Sequence, residues 1–254
     1  PEIIAEIGWN HMGDMSLASK MIKAAKDSGA NIAKFQTWNV NRLKNGEWDN
    51  DGRRQIYENA ELSRDQHEFL ISECKINNIE FLSSAFSVED AKLLAKLKIN
   101  KIKIPSFEVN NFKLLDFCKN NFKLIYISTG TANEKEIIDL KNFFYSWNGE
   151  LIVMHCVSAY PCEASNINLP RMIHLRDYFK NVGFSDHTQG ILSTMSSINL
   201  NPVAIEKHFT IDHDLPGRDN KFAILPKEMR ELKEFISTYR NTMIDHGLNY
   251  QEIE

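Results

Sequence analysis

Short apolar runs alternate with amphipathic stretches along the whole chain. Eight of these runs are rich in Ile, Val and Phe, and several lack the polar alternation of a half-exposed strand. Such runs are typical of strands that are buried on both faces. The predicted strands are residues 3–8, 31–37, 80–86, 101–106, 124–130, 150–158, 181–187 and 202–210.

The stretches between the runs have the periodicity of helices. Leu17 and Met21 lie on one face of a first helix, and Gly29 ends it. Ser63 and Gln66 match the spacing of a capping box at the start of another helix. That helix covers residues 64–78, and the further predicted helices are residues 88–97, 112–120, 133–145, 170–179, 190–200 and 226–246.

A strand followed by a helix, repeated eight times, predicts a parallel sheet with crossover helices. The chain has 254 residues, close to the usual length of a (β/α)₈ barrel, about 250 residues. An open doubly wound sheet is the alternative, but eight units in this length favour closure. Because no Pro/Ser-rich linker interrupts the pattern, we predict an α/β fold, a (β/α)₈ TIM barrel, as one domain over residues 1–254.

One segment, residues 38–62, has no clear periodicity. Two interpretations stay open, a lid or substrate loop and an ordinary surface excursion. Its aromatic and basic residues are Trp38, Arg42, Lys44, Trp48, Arg53 and Arg54.

Composition narrows the functional classes. The formal net charge is -4, which argues against nucleic acid as a main partner, since duplex binders show a basic stripe. No run of about 18 apolar residues predicts a membrane span, and the N-terminus does not resemble a signal peptide. The cysteines form no C-x-x-C pair, so we expect a reduced, cytoplasmic protein. They are Cys74, Cys118, Cys156 and Cys162.

Polar residues occur at the C-terminal end of every predicted strand. In a TIM barrel these ends and the loops after them carry the active site, whereas buried strand residues are otherwise apolar. Eight strands with the same feature are difficult to attribute to chance. The candidate site residues are Glu6, Lys34, Ser84, Lys103, Ser106, Glu108, Ser128, Ser158, Ser185, His187, Glu206 and His208, with Tyr160 and Asp219 at the rim.

Lys34 and Lys103 lie within apolar strands, where an unpaired ammonium group is costly. A bound anion between them would satisfy both, and the candidate serines would donate to its oxygens. The alternative is that each lysine pairs with an internal carboxylate, Glu6, Glu108 or Glu206. Those carboxylates are also candidates to hold sugar hydroxyls or to act as general acid or base.

His187 and His208 end consecutive predicted strands. Two imidazoles at neighbouring strand ends can share one divalent metal, with substrate and water at the other positions. A histidine in a barrel is also commonly a hydrogen-bonded core residue, so that interpretation stands beside the metal site. Two histidines do not identify the metal.

Several motifs follow one another along the chain. They are Ala5-Glu6-Ile7-Gly8-x-Asn10-His11-x-Gly13, Lys34-Phe35-Gln36, Ser128-Thr129-Gly130, His155-Cys156, Tyr160-Pro161, Gly183-Phe184-Ser185-Asp186-His187-Thr188, Glu206-Lys207-His208-Phe209-Thr210 and Pro216-Gly217-x-Asp219. In this order they resemble the sialic acid synthase family, which includes the N-acetylneuraminate, legionaminate and pseudaminate synthases and a spore-coat polysaccharide homologue. The resemblance runs from residue 3 to about 230. The motifs are specific in combination and weak singly.

The resemblance implies an enzyme that condenses phosphoenolpyruvate with an open-chain 2-acetamido sugar aldehyde and releases phosphate. It implies a divalent metal on His187 and His208, manganese first and magnesium or cobalt as alternatives, which activates the aldehyde and a water molecule. Phosphoenolpyruvate would contact Lys34, Lys103, Ser84, Ser106, Ser128 and Ser185, and the sugar would contact Glu6, Glu108, Tyr160, Glu206 and Asp219. Ser158 is a further candidate for substrate binding.

The chain departs from the family pattern at several points. Pro105 and Phe107 replace glycines after the fourth-strand lysine, and Ser158 replaces an asparagine. The family adds an antifreeze-like domain that supplies an arginine to the partner subunit's site, and these 254 residues do not contain it. The domain belongs to a longer form of the protein, or is a separate chain, or is dispensable, so a homodimer or a partner chain is expected. Arg218 or the pair Arg53-Arg54 is a candidate substitute for the missing arginine.

Two other functions stay open. One is a different phosphoenolpyruvate-dependent barrel that acts on a sugar phosphate, for which Arg42, Lys44, Arg53 and Arg54 would form the second basic cluster. The other is a non-catalytic sugar-binding barrel that needs a partner chain. The intact set of candidate catalytic residues argues against the latter.

Overall fold

Eight parallel strands close into a barrel in the order β1 to β8 in the computed structural model, which describes residues 1–43, 46 and 50–248. β1 pairs with both β2 and β8, which closes the sheet. The predicted single-domain TIM barrel is therefore confirmed. The strands are β1 Glu2–Gly8, β2 Ile32–Thr37, β3 Glu80–Ala85, β4 Lys101–Ile104, β5 Leu124–Ser128, β6 Glu150–His155, β7 Val182–Asp186 and β8 Ala204–His208.

Every predicted strand is present, but several end earlier than the apolar pattern suggests. β4 ends at Ile104 because Pro105 has no N–H to donate to a neighbouring strand. β6 ends at His155 instead of residue 158. The residues beyond these ends lie in the loops that follow the strands, where a barrel carries its chemistry.

Helices connect successive strands on the outside of the barrel. The helices are α1 Met15–Asp27, α2 Arg53–Ala60, α3 Arg64–Ile76, α4 Val88–Lys96, α5 Phe112–Asn121, α6 Glu134–Phe144, α7 Arg171–Arg176, α8 Leu192–Ser197 and α9 Pro226–Thr242. The capping box that begins α3 is confirmed, because Ser63 Oγ accepts from Gln66 N–H and Gln66 Oε1 accepts from Ser63 N–H.

The helix predictions were wrong at four helices. α2 lies in the segment expected to be irregular; Ala60 is its one buried residue, so the sequence shows no apolar stripe there. α7 and α8 have six residues each, and a 3₁₀ turn at Ile198–Leu200 completes α8. α9 ends at Thr242, before the predicted residue 246. Lys44 and Trp48 lie outside the described residues.

The lower half of the barrel interior, toward the N-terminal ends of the strands, is apolar, and the upper half, toward their C-terminal ends, is polar. A layer of inward side chains fills the lower half, and its members are Ile4, Ile32, Leu82, Tyr126, Ile152, Met154 and Ala204. Because side chains alternate along a strand, the next inward residue lies two positions further on. For β1, β2 and β8 that residue is Glu6, Lys34 and Glu206. The alternation of the strands thus delivers charged groups to one end of the barrel.

Two further predictions can be compared with the fold. The four cysteines are free and buried. No helix in the described part of the chain is long and apolar enough to span a membrane.

Candidate active site

A cavity of about 440 Å³ opens at the C-terminal ends of the strands. Its size is within the range of sites for small molecules, and each of the eight strands or the loop after it contributes to the wall. The predicted site residues in the wall are Glu6, Lys34, Ser84, Lys103, Ser106, Ser128, Tyr160, Ser185, His187, Glu206, His208 and Asp219.

Glu108 and Ser158 are the two predicted site residues that the structure does not bring to this wall. Glu108 lies in the 3₁₀ turn Ser106–Glu108, and its carboxylate accepts a hydrogen bond from Asn111 Nδ2 at 2.7 Å. The expectation that Glu108 meets the other carboxylates was wrong, because β4 is followed by this 3₁₀ turn, in which Ser106 lines the cavity and Glu108 binds Asn111 instead. The Ser158 hydroxyl is buried beside Gly130 and not in the cavity wall.

Two lysines and two glutamates form a buried network at the base of the cavity. Lys34 Nζ lies 2.8 Å from Glu6 Oε2 and 3.5 Å from Glu206 Oε1. Lys103 Nζ lies 3.0 Å from Glu206 Oε2. The pairing of the lysines with internal carboxylates, one of the two interpretations of the sequence, is therefore observed for Glu6 and Glu206. The cavity above the network leaves room for an anion as well.

Serine hydroxyls surround this network. Ser84 Oγ accepts from Lys34 Nζ at 3.2 Å, and Ser185 Oγ donates to Glu206 Oε1 at 2.9 Å. Both hydroxyls are nearly fully buried. The Ser84 hydroxyl can donate to a ligand oxygen while it accepts from Lys34, whereas the Ser185 hydroxyl would exchange Glu206 for the ligand.

The loops after β4 and β5 are fastened to each other. Ser106 Oγ accepts from the N–H of Gly130 at 3.0 Å, and the Ser106 carbonyl oxygen accepts from Thr131 Oγ1 at 2.7 Å. Arg171 Nη1 donates to the carbonyl oxygen of Thr129 at 3.0 Å. These bonds hold Ser106 and the end of β5 at the cavity wall.

The two glutamates differ in proton affinity. Burial raises the pKa of Glu6 to about 7, although Lys34 opposes the shift. Burial would also raise the pKa of Glu206, but the ammonium groups of Lys103 and Lys34 outweigh it and hold the pKa below its ordinary value. Glu206 is therefore ionised at neutral pH, while Glu6 can hold or release a proton.

The imidazoles of His187 and His208 lie side by side, with ring centroids 5.6 Å apart. His187 Nδ1 lies 2.6 Å from the carbonyl oxygen of Val157; since that oxygen only accepts, Nδ1 carries the proton and Nε2 keeps its lone pair. His208 Nδ1 is buried and lies 3.6 Å from Asp219 Oδ2. Burial lowers the pKa of both histidines, so both are neutral and can bind a metal.

The two histidines suit a metal ion whose remaining coordination positions are filled by substrate or water. Among residues 1–43, 46 and 50–248, no group of three or more His, Cys, Asp or Glu side chains is arranged to hold a metal ion. The chain therefore offers the two imidazole nitrogens, and water or substrate oxygens would fill the other positions. Nitrogen donors of this kind suit several divalent ions and do not select manganese.

An aromatic wall also lines the cavity, and of its residues only Trp38 was singled out from the sequence. The Tyr57 ring lies 5.6 Å from the Trp9 ring and 5.9 Å from the Trp38 ring, centroid to centroid. Leu43 and Phe86 complete this wall. Trp9 and Phe86 each directly follow a strand, which was the available signal. Residues of the segment 38–62 thus line the cavity, as the lid or substrate-loop interpretation requires.

The arginines near the mouth separate into two groups. Arg218 lines the cavity, and its guanidinium donates to the carbonyl oxygen of Tyr160 at 3.1 Å. The Tyr160 ring packs on His187 with a centroid distance of 4.2 Å. Arg53 and Arg54 form ion pairs outside the cavity wall. Of the candidate substitutes for a partner's arginine, Arg218 alone is at the site.

The barrel and its cavity of buried lysines, carboxylates and neutral imidazoles define a TIM-barrel enzyme with a site for a small polar substrate. The sequence profile of the NeuB family matches residues 21–247, and the chain belongs to this family.

Relatives with known names agree with this membership. The chain is 36% identical to N,N'-diacetyllegionaminic acid synthase of Campylobacter jejuni, over 96% of this chain and 77% of the relative. It is 31% identical to a pseudaminic acid synthase of the same species, over 98% and 77%. The crystal structure of an N-acetylneuraminic acid (sialic acid) synthetase from Leptospira borgpetersenii in complex with citrate superposes with a TM-score of 0.88 at 30% identity, over 99% of this chain and 87% of that one. The resemblance seen in the motifs is confirmed.

Proposed function

We propose that the protein condenses phosphoenolpyruvate with the aldehyde of an open-chain 2-acetamido sugar to give a nonulosonate and phosphate. The C3 carbon of phosphoenolpyruvate forms a bond to the aldehyde carbon, whose oxygen takes up a proton. Water adds at C2, and the C2–O bond to the phosphate breaks, which leaves the keto group of the product and free phosphate.

The buried lysine network is the observation that supports this proposal most. The ammonium groups of Lys34 and Lys103 lie at the base of the cavity, and the carboxylates that pair with them, among the residues the structure describes, are Glu6 and Glu206. A small acid with a phosphate and a carboxylate complements this base, with Ser84, Ser106, Ser128 and Ser185 as donors. Protonation of Glu6 would release Lys34 toward the incoming anion.

The sugar would occupy the space between the network and the aromatic wall. Glu206, Tyr160 and Asp219 line the cavity and carry oxygens that can hold hydroxyl groups. His187 and His208 would hold a divalent ion, manganese first and magnesium or cobalt as alternatives, which would polarise the aldehyde when bound. Glu6, with a pKa of about 7, is the residue suited to supply the proton to the aldehyde oxygen.

A sugar without phosphate suits the site better than a sugar phosphate. Arg42 pairs with the buried Asp90, and Arg53 and Arg54 also pair with acidic neighbours. These three arginines therefore do not form a second phosphate site in the cavity; Lys44 lies outside the described residues. A homodimer or a partner chain that completes the site stays a prediction.

The test is phosphate release with Mn²⁺, phosphoenolpyruvate and one aldehyde at a time. The aldehydes are N-acetylmannosamine, a 2,4-diacetamido-trideoxyhexose and arabinose 5-phosphate. We expect release with at least one acetamido sugar and none with the sugar phosphate. Lys103→Met should lower kcat/KM by at least about a hundredfold, since it removes a charge-assisted contact worth about 3 kcal/mol.

Lys101→Met is the matched control. Lys101 lies two residues earlier on the same strand, where it pairs with Glu80 outside the cavity, so its loss should leave activity within about threefold, as for other surface pairs. A folded, metal-loaded protein that releases phosphate with none of the acetamido sugars contradicts the proposal. Release with the sugar phosphate alone would favour the other phosphoenolpyruvate-dependent reaction.

A further inference from the structure

The residues immediately before His187 and His208 form a buried ion pair on the outer side of the barrel wall. Asp186 lies opposite Lys207 in the pairing of β7 with β8. Lys207 Nζ is 3.0 Å from Asp186 Oδ2, and the two side chains are 2% and 0% exposed. Because side chains alternate along a strand, this pair points away from the cavity that the imidazoles line.

Both members of the pair hold the peptide groups next to His187. Asp186 accepts from the N–H of Thr188 at 2.8 Å, and Lys207 Nζ donates to the carbonyl oxygen of Thr188. Thr194 of α8 donates to the same carboxylate. The backbone that carries His187 is therefore fastened by the side chain directly before His208.

Stability alone does not account for this arrangement. Replacement of a buried ion pair by apolar side chains of similar volume is often neutral or stabilising, because the loss of solvation offsets the attraction. An apolar pair would pack β7 against α8 equally well, but it could not hold both the N–H and the carbonyl oxygen of Thr188. The pair thus fixes a backbone position that packing would leave free.

We propose that Asp186 and Lys207 are positioning residues that set the separation and orientation of the His187 and His208 imidazoles. The proposal rests on the proposed function only in so far as these imidazoles hold a metal. Partners of this kind, behind the direct ligands, commonly change metal affinity by 10- to 100-fold.

The test measures Mn²⁺ binding without substrate, from the electron paramagnetic resonance signal of the free ion. The double variant Asp186→Leu/Lys207→Met should bind Mn²⁺ about 10- to 100-fold more weakly. Its midpoint of urea unfolding without metal should fall, because the Thr188 N–H and carbonyl oxygen lose their partners, so the affinity is measured without denaturant on protein shown to be folded. Lys207→Arg keeps a donor for the Thr188 carbonyl oxygen and should retain most of the affinity. Lys101→Met removes an ion pair at the N-terminal end of β4, away from the histidines. It should bind Mn²⁺ as the unchanged protein does.

Equal Mn²⁺ affinity in the double variant would overturn the proposal. If the double variant does not fold, Asp186→Asn keeps the volume and weakens the bond to Lys207; unchanged affinity there has the same meaning. If the unchanged protein binds no Mn²⁺, the metal part of the proposed function is wrong, and the crystal structure of the double variant decides instead. We expect its two rings to depart from the 5.6 Å separation, and rings in the same place would overturn the positioning role.

Discussion

Glu6 and Glu206 show how position within one cavity assigns different states to two identical side chains. Glu206 lies between two ammonium groups, whereas the polar partners of Glu6 in the described part of the chain are Lys34 and the amide of Gln36. Burial acts against ionisation of both carboxyls, so the number of neighbouring cations decides the outcome. The permanent anion is therefore the carboxylate that both lysines share.

Glu6→Gln should change the pH dependence of stability in a defined direction. The folded-state pKa of Glu6, about 7, exceeds its ordinary value of 4.5, so the folded protein binds the extra proton and loses stability as pH rises through this window. Gln cannot ionise, so the free energy of unfolding of the variant relative to the unchanged protein should rise by about 2 to 3 kcal/mol between pH 5 and pH 8. Urea unfolding at several pH values measures this, and a difference that does not vary with pH would contradict it.

At the residue scale, the sequence predicted the groups that alternate into the barrel at strand ends. Lys34 and Glu206 are conspicuous because their neighbours along the strand are apolar. The prediction for Glu108 was wrong because the strand is followed by a turn that the apolar pattern does not predict, and this turn directs the Glu108 side chain away from the other carboxylates. Trp9 was missed because an aromatic residue beside a strand is ordinary core material and becomes a cavity wall only when the loop folds back.

Among the elements, α2 determines one side of the site. It places Tyr57 in the cavity wall, in contact with the rings of both Trp9 and Trp38. The helix has little buried surface of its own, so contacts with the strand-end aromatics hold it in place.

Tyr57→Ala should therefore affect the sugar more than phosphoenolpyruvate. Loss of an aromatic side chain from the wall should raise the KM of the acetamido sugar about tenfold, equivalent to about 1.4 kcal/mol. The KM of phosphoenolpyruvate should change less than about twofold, since its proposed contacts, Lys34 and Lys103, belong to the buried network with Glu6 and Glu206 and not to the aromatic wall. Steady-state kinetics with each substrate varied in turn will separate the two effects; an equal rise in both KM values would show that α2 closes the whole site.

At this scale the strands were predictable and α2 was not, for one physical reason. Strands of a barrel are buried on both faces and appear in the sequence as apolar runs. A short helix over a barrel mouth is amphipathic only against aromatic residues that are distant in sequence. Its existence therefore depends on tertiary contacts that a local pattern does not contain.

For the whole molecule, closure of the sheet forms the site, because it brings together inward-facing side chains from strands that are distant in sequence. The same alternation that fills the lower barrel with Ile4, Ile32 and Ala204 brings Glu6, Lys34 and Glu206 together two residues later. Buried charges of this kind are costly even when paired. The apolar layers beneath them and around the barrel supply the stability that tolerates this cost.

A bound anion that pairs with the lysines should offset part of this electrostatic cost and so raise the thermal stability of the protein. Phosphoenolpyruvate at a hundred times its Kd should stabilise the folded state by about 2.7 kcal/mol, which corresponds to a rise in Tm of about 5–10 °C for a domain of this size. Measured with EDTA present, the rise reports the lysine network and not a metal.

Lys103→Met should show little of the rise at the same ligand concentration, whereas Lys101→Met should show all of it, because Lys101 lies at the far end of the strand. The comparison uses the shift and not the absolute midpoint, so any destabilisation by the substitutions themselves cancels. An equal shift in all three proteins would mean that phosphoenolpyruvate binds elsewhere, and no shift in the unchanged protein would mean that the two ammonium groups prefer Glu6 and Glu206 to any anion.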